Sequence, residues 1–166
     1  MQAFQQISHY SIAPETLNDI YFIKALVKPL DRDSQARWML ENLKDEDMHL
    51  LLYEGEILQA YLNIIPDRII LDAEEIKIFG IGNVCARTKK QGYGSLIRQH
   101  ANNLIIKEDL VGLLFCKQAL LPFYERFGWK TVDQGKLQIK DERPFFAMIF
   151  NHDLPRETLQ YFGKLF

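Results

Sequence analysis

The feature that most constrains this chain is the succession of elements between Glu75 and Cys116. EIKIFGIGNVCA (75–86) reads as a strand with two glycines and RTKKQGYGS (87–95) as a basic, glycine-containing loop. A helix follows with Ile97, Ala101, Leu104 and Ile105 inward, then Val111 to Cys116 as a buried strand. A strand that runs through such a loop into a helix is a physical recipe for holding phosphate. The first helical amides lack intrahelical partners, and the peptide dipoles add positive potential there. Gly92 and Gly94 have no side chain to keep a phosphate off the backbone, and Lys89 and Lys90 add charge. The same glycines also suit a chain that only needs a tight turn before a helix, so the loop alone leaves both uses open. Two other phosphate loops are excluded. Ile97 stands where the third glycine of a dinucleotide fingerprint would fall, and no Gly-Lys-Ser/Thr triplet is present.

Around this segment the periodicities predict an α/β chain. Ala3 to Ile12 is short and mixed and reads as a first strand. After Pro14, helical spacing links Ile20, Ile23, Val27 and Leu30. A second helix starting at Asp33 or Ser34 places Ala36, Met39, Leu40 and Leu43 on one face. Met48–Tyr53 and Ile57–Ile65 form a hairpin about Glu54-Gly55, Pro66 and Asp67 mark a bend, and Ile69–Leu71 continues the sheet. Gly80 and Gly82 inside the next strand imply a bulge or a close backbone approach. Pro122–Phe127 suits a short helix ended by Gly128, and Trp129–Lys140 with Pro144–Phe150 suits a closing antiparallel pair. Pro155 opens a last helical stretch to Phe166, with Leu159, Phe162 and Phe166 on one side. That aromatic end reads as core packing or, if exposed, as a subunit interface of a homodimer.

A length of 166 residues at 48% apolar content fits one domain over residues 1–166 with a real core. A net charge of -2 provides no global basic field, which argues against nucleic acid as the main ligand. The N-terminus does not read as a signal peptide and no stretch is apolar enough to span a bilayer, so a cytoplasmic protein that does not enter a membrane is expected. Cys85 and Cys116 lie in apolar strands, as small buried hydrophobes do. The four histidines lack metal-site spacing, and no metal is expected.

Residues 84–94 (VCARTKKQGYG) resemble the acetyl-CoA-binding motif of the GNAT superfamily of N-acetyltransferases, Q/R-x-x-G-x-G/A after a strand ending in Val. LPFYERFGW (121–129) is similar to that family's second motif, an aromatic-Tyr pair on a short helix ending in Gly and an aromatic. The two together are more specific than either alone. Lys89 stands at the usual Gln/Arg position and Ala86 at a frequent proline; lysine keeps the charge and loses the planar fork. The resemblance implies a mixed, mostly antiparallel central sheet, splayed at the cofactor site, with helices on both faces. It also implies that the amides of Gln91, Gly92, Tyr93, Gly94 and Ser95, with Lys89 and Lys90, face the pyrophosphate of acetyl-CoA. The backbone of Gly82, Asn83 and Val84 would pair with the pantetheine arm, and a bulge at Gly80 and Gly82 would open the gap for the thioester. Tyr124 matches the general acid that protonates the departing thiolate, against a packing role for the same ring.

The implied activity is transfer of an acetyl group to a primary amine of a small acceptor by direct attack in a ternary complex. The GNV and FYERFGW segments resemble the aminoglycoside 2'-N-acetyltransferase branch. The alternative is a noncatalytic acyl-CoA-binding module of the same fold. Glu41, Glu54, Glu74, His49 and His100 are all chemically able to serve as the base for the amine, and the sequence does not choose among them.

Overall fold

Leu50, Leu51 and Leu52, and across from them Ala60, Tyr61 and Leu62, have no exposed surface, which is why these strands read as continuous apolar runs rather than alternating ones. A computed structural model describes residues 1–89 and 91–166. Among them the strands are β1 (Gln2–Ser8), β2 (Met48–Glu54), β3 (Ile57–Leu71), β4 (Glu74–Ala86), β5 (Val111–Cys116), β6 (Lys130–Thr131), β7 (Leu137–Ile139), β8 (Phe146–Phe150) and β9 (Leu159–Tyr161). The helices are α1 (Pro14–Val27), α2 (Arg32–Asn42), α3 (Tyr93–Lys107) and α4 (Leu121–Glu125). The strand order is β1-β2-β3-β4-β5-β8-β6, with β9 beside β3 and β7. The pairing is mostly antiparallel, with β4–β5 and β7–β9 parallel.

The chain divides into two compact units, residues 1–64 with 83–98 and residues 65–82 with 99–166. In the first, Ile20, Tyr21 and Ile23 of α1 and Met39 of α2 pack on Leu51, Leu58, Tyr61 and Cys85. Asp31 caps α2 by accepting the Ser34 amide at 2.9 Å. The inward face of α2 differs from the expected one. Leu40 is 82% exposed, and Gln35 takes an inward position because its amide donates to the Tyr21 and Leu30 carbonyls, which offsets its burial. The hairpin turns at Gly55, whose φ of 60° is left-handed. It sets His49 opposite Asn63 and Leu51 opposite Tyr61. The expected bend at Pro66 is absent: β3 runs on through it, since the ring-fixed φ of proline suits extended backbone.

The second unit is built on Ile78, Val111, Leu113, Ala147, Ile149 and Leu159. The helix expected from Pro155 to Phe166 is not formed, and Leu159–Tyr161 is a strand instead. The Asp72 carboxylate accepts the amides of Arg156, Glu157 and Thr158 at 2.8, 2.7 and 3.1 Å, which tethers the entry to β9, and the strand then pairs with β3 and β7. Leu159 and Tyr161 are buried on either side of half-buried Gln160, the two-residue period of a strand. The expected closing pair is divided: Lys130 and Thr131 pair with β8, whereas β7 pairs with β9. No helix among the described residues is long and apolar enough to cross a membrane.

Candidate cofactor and acceptor site

The loop that leaves β4 is pinned at its entry. The Arg87 amide donates to the Gln59 carbonyl at 2.8 Å, its Nε donates to the Leu58 carbonyl at 2.9 Å, and its guanidinium lies 4.7 Å from the Phe22 ring centre. At the exit, Gly92 has φ +82° and its carbonyl accepts the Leu96 amide, so it begins α3 in a conformation side chains rarely adopt. Tyr93 is buried and its hydroxyl donates to Glu54 at 2.6 Å, which anchors the first turn of the helix. Among the described residues, and apart from its own chain neighbours and the backbone of its helix, a Cβ added at Gly92 or at Gly94 would meet no atom within 4 Å. Both glycines therefore border open space and not a packed neighbour, as a cradle for an anion requires. Lys89 and Gln91 are exposed and Ser95 is half-buried, while Lys90 lies outside the described residues.

In the second unit the parallel ladder of β4 and β5 runs from Ile78↔Val111 to Ile81↔Leu114 and ends there, one residue before Gly82. Gly80 and Gly82 show no positive φ; the left-handed residue of this strand is Asn83, at φ 53°. The two glycines serve close approach instead. A Cβ at Gly80 would strike the Phe166 ring, and one at Gly82 would lie 2.6 Å from the Phe166 carbonyl carbon. Val84 is half-buried on the same strand.

Tyr124 sits on α4, 6% exposed, edge-on to Phe123 and 6.4 Å from the Trp129 ring centre. Trp129 is itself held by Asn102, which accepts the indole N–H at 2.9 Å and donates to the Phe127 carbonyl. This network fixes the position of α4, so Tyr124 has a defined place whichever role it plays. Cys116 is buried against Met148, and burial pushes the Cys85 thiol up to about 12, which disfavours its thiolate. Among the described residues no three His, Cys, Asp or Glu side chains are grouped so as to hold a metal ion.

The residues considered for the base separate sharply. Glu41 and Glu74 are exposed, Glu54 accepts from Tyr93, and His100 is half-buried, its acid form disfavoured by burial. In the acidic stretch before β2, Asp45 and Glu46 are exposed. Asp47 is buried and accepts the Lys44 amide at 2.8 Å, and its carboxyl is pushed up by burial. His49 has no exposed surface. Burial, with His9 and Lys24 nearby, lowers its ring to about 3, so it is neutral.

Around His49 lies a polar network that the sequence did not reveal. His49 Nδ1 is 2.8 Å from the Tyr61 hydroxyl and 3.4 Å from Asn63 Nδ2, and His49 Nε2 is 2.9 Å from His9 Nδ1. Asn83 Nδ2 donates to Asn63 Oδ1 at 2.9 Å. Of its members the sequence pointed only to His49, as a possible base, and to the backbone of Asn83, because they come from β2, β3, β4 and the turn after β1. The available signal was the recurrence of a polar residue at one level of otherwise apolar strands.

No family model matches the sequence, and no curated protein matches it. Solved structures do match in fold. ElaA of Escherichia coli superposes with a TM-score of 0.64 at 18% identity, over 90% of this chain and 99% of the other. An acyl-CoA N-acyltransferase from Pseudomonas aeruginosa gives 0.66 at 18% identity over the same shares. A GNAT family acetyltransferase from Brucella melitensis, solved in complex with acetyl-CoA, gives 0.59 at 14% over 96% of each chain. The chain thus has the GNAT fold.

Proposed function

We propose that this chain is an acyl-CoA-dependent N-acyltransferase that moves an acetyl group from acetyl-CoA to the amine of a small acceptor. The observation that carries the reading is the start of α3, where a left-handed Gly92 and a Gly94 with open space beside its Cα among the described residues begin a 15-residue helix, whose first amides lack intrahelical partners. In this reading the amides of Gln91 to Ser95 hold the pyrophosphate, with Lys89 and Lys90 adding charge. The backbone of Gly82, Asn83 and Val84, beyond the last β4–β5 pair, takes the pantetheine arm as an added strand. The thioester supplies an activated acetyl group and a thiolate leaving group. Tyr124 is the assigned proton donor to that sulfur, and the rigid aromatic frame around it limits the entropy lost in holding its hydroxyl. The fold likeness to an acyl-CoA N-acyltransferase and to an acetyl-CoA complex supports the choice of donor. The test is release of CoA from acetyl-CoA across a panel of amines. Turnover with at least one amine is expected. Tight acetyl-CoA binding with no turnover of any amine would leave the noncatalytic binding module.

A further inference from the structure

Asn83 is the one residue of β4 held in the left-handed region, and it is half-buried. A non-glycine residue in that region inside a strand turns its side chain out of the regular alternation, and such positions are kept where the side chain has a task. The orientation of its amide follows from the groups behind it. The Tyr61 hydroxyl is fully buried and needs an acceptor, and its partner is His49 Nδ1. A neutral imidazole that accepts at Nδ1 carries its proton on Nε2, which donates to His9 Nδ1. The Asn63 amide donates to the Tyr61 oxygen and lies 3.4 Å from the same Nδ1, so it presents its N–H₂ to this pair, which leaves Asn63 Oδ1 to receive the N–H of Asn83. Asn83 is thereby fixed with its Nδ2 turned inward. Among the described residues its Oδ1 accepts no side-chain hydrogen bond.

We propose that Asn83 Oδ1 seats the acceptor amine by accepting its N–H, and that Asn63, Tyr61, His49 and His9 are positioning residues that hold the Asn83 amide in the orientation this needs. The proposal rests on the acyltransferase reading above and adds a substrate class. No carboxylate hydrogen-bonds to Asn83, Asn63, Tyr61 or His49 among the described residues. The ionisable groups that act on this cluster are His9 after β1, Lys24 and Tyr21 of α1 and Cys85 of β4, and His9 in turn acts on Asp47. An ammonium ion would find no counter-charge here, whereas a neutral N–H donor is satisfied by the amide oxygen. The favoured acceptors are weakly basic amines, uncharged at neutral pH. In the transfer the nitrogen bonds the acetyl carbon as the carbon–sulfur bond breaks. The nitrogen then loses one proton to solvent, and the departing sulfur gains one.

The experiment compares the wild-type chain with Asn83→Gly, which keeps the left-handed backbone, and with His49→Gln. Methoxyamine serves as the neutral probe amine and n-propylamine as the cationic one. Acetyl-CoA affinity is measured by calorimetry and CoA release by a thiol assay. Histidine tautomers and the Asn83 side-chain amide are followed by nitrogen NMR on the acetyl-CoA-free protein with CoA and each amine. Expected are Nε2-protonated His49 and a shift of the Asn83 amide with methoxyamine but not with n-propylamine. In Asn83→Gly the KM for methoxyamine should rise about 10-fold or more with acetyl-CoA affinity within about 2-fold. His49→Gln, able to accept from Tyr61 and donate to His9, should keep the methoxyamine KM within about 3-fold. An unchanged methoxyamine KM in Asn83→Gly overturns the assignment. So does an Nδ1-protonated His49, or acetyl-CoA binding with neither an Asn83 shift nor turnover of methoxyamine. Failure of acetyl-CoA to bind at all would instead reject the acyltransferase reading.

Discussion

His49 makes the first unit sensitive to acid in a way that can be worked out in advance. Burial holds its folded-state pKa at about 3, against an ordinary 6.5. As pH falls below about 6.5 the unfolded chain takes up a proton at this position and the folded chain does not, so stability falls with falling pH until about 3. The contribution is fully present above that window. Between pH 7 and pH 5 the linkage relation gives a loss of about 2 kcal/mol, and the figure barely changes for any folded value below about 4. His100, also lowered by burial, acts in the same direction, while Asp47, raised by burial, acts in the opposite one. The clean quantity is therefore the difference between wild type and His49→Gln. Urea unfolding at pH 7 and pH 5 should show wild type losing about 2 kcal/mol more than the variant, roughly 1 M in midpoint. Equal losses in the two proteins would mean that His49 titrates normally when folded, and the reasoning about its burial would fail.

Three further outcomes are expected. Gly112→Ala should destabilise the second unit by about 1–3 kcal/mol in urea unfolding, because the new methyl would lie 2.7 Å from the Trp129 ring and 2.9 Å from Ile105 Cδ1; an unchanged midpoint would show that this core yields. Asp72→Ala removes the acceptor of three successive amides, so hydrogen exchange at Arg156, Glu157 and Thr158 should accelerate well beyond that of the neighbouring β8 strand; unchanged protection would refute the tether. Tyr124→Phe, assayed with any amine the panel identifies, should lower kcat by about 10²-fold to 10⁴-fold with little change in acetyl-CoA affinity. Unaltered kcat with chemistry limiting would leave Tyr124 as a packing residue.

How far the sequence could be read depended on the range of the interactions. The start of α3 was legible because Gly92 and Gly94 act on their own backbone, and the structure places a left-handed residue and open space there. The β2–β3 hairpin was legible through Gly55 for the same reason. The C-terminal segment was misread because Leu159, Phe162 and Phe166 can be fitted to a helical face. Pairing with the distant β3 and β7 instead selects an extended chain in which Leu159 and Tyr161 are the inward pair. Leu40 leaves its expected inward place and Gln35 is buried instead, because two carbonyls, one of them on another helix, satisfy its amide. The His9–His49–Asn63–Asn83 network was out of reach, since its contacts join residues 40, 14 and 20 apart in the chain and depend on strand register.

The central claim is that the first turn of α3 binds the pyrophosphate of acetyl-CoA, and Gly94→Val tests it most directly. The position is half-buried and has no positive φ, and among the described residues outside its own neighbours and helix backbone an added Cβ meets nothing within 4 Å, so the variant should fold and melt close to wild type. Titration calorimetry should find acetyl-CoA binding to wild type and a loss of about 100-fold or more in affinity in Gly94→Val, because the valine methyls fill the space assigned to phosphate. A folded Gly94→Val protein that binds acetyl-CoA as tightly as wild type would contradict the account.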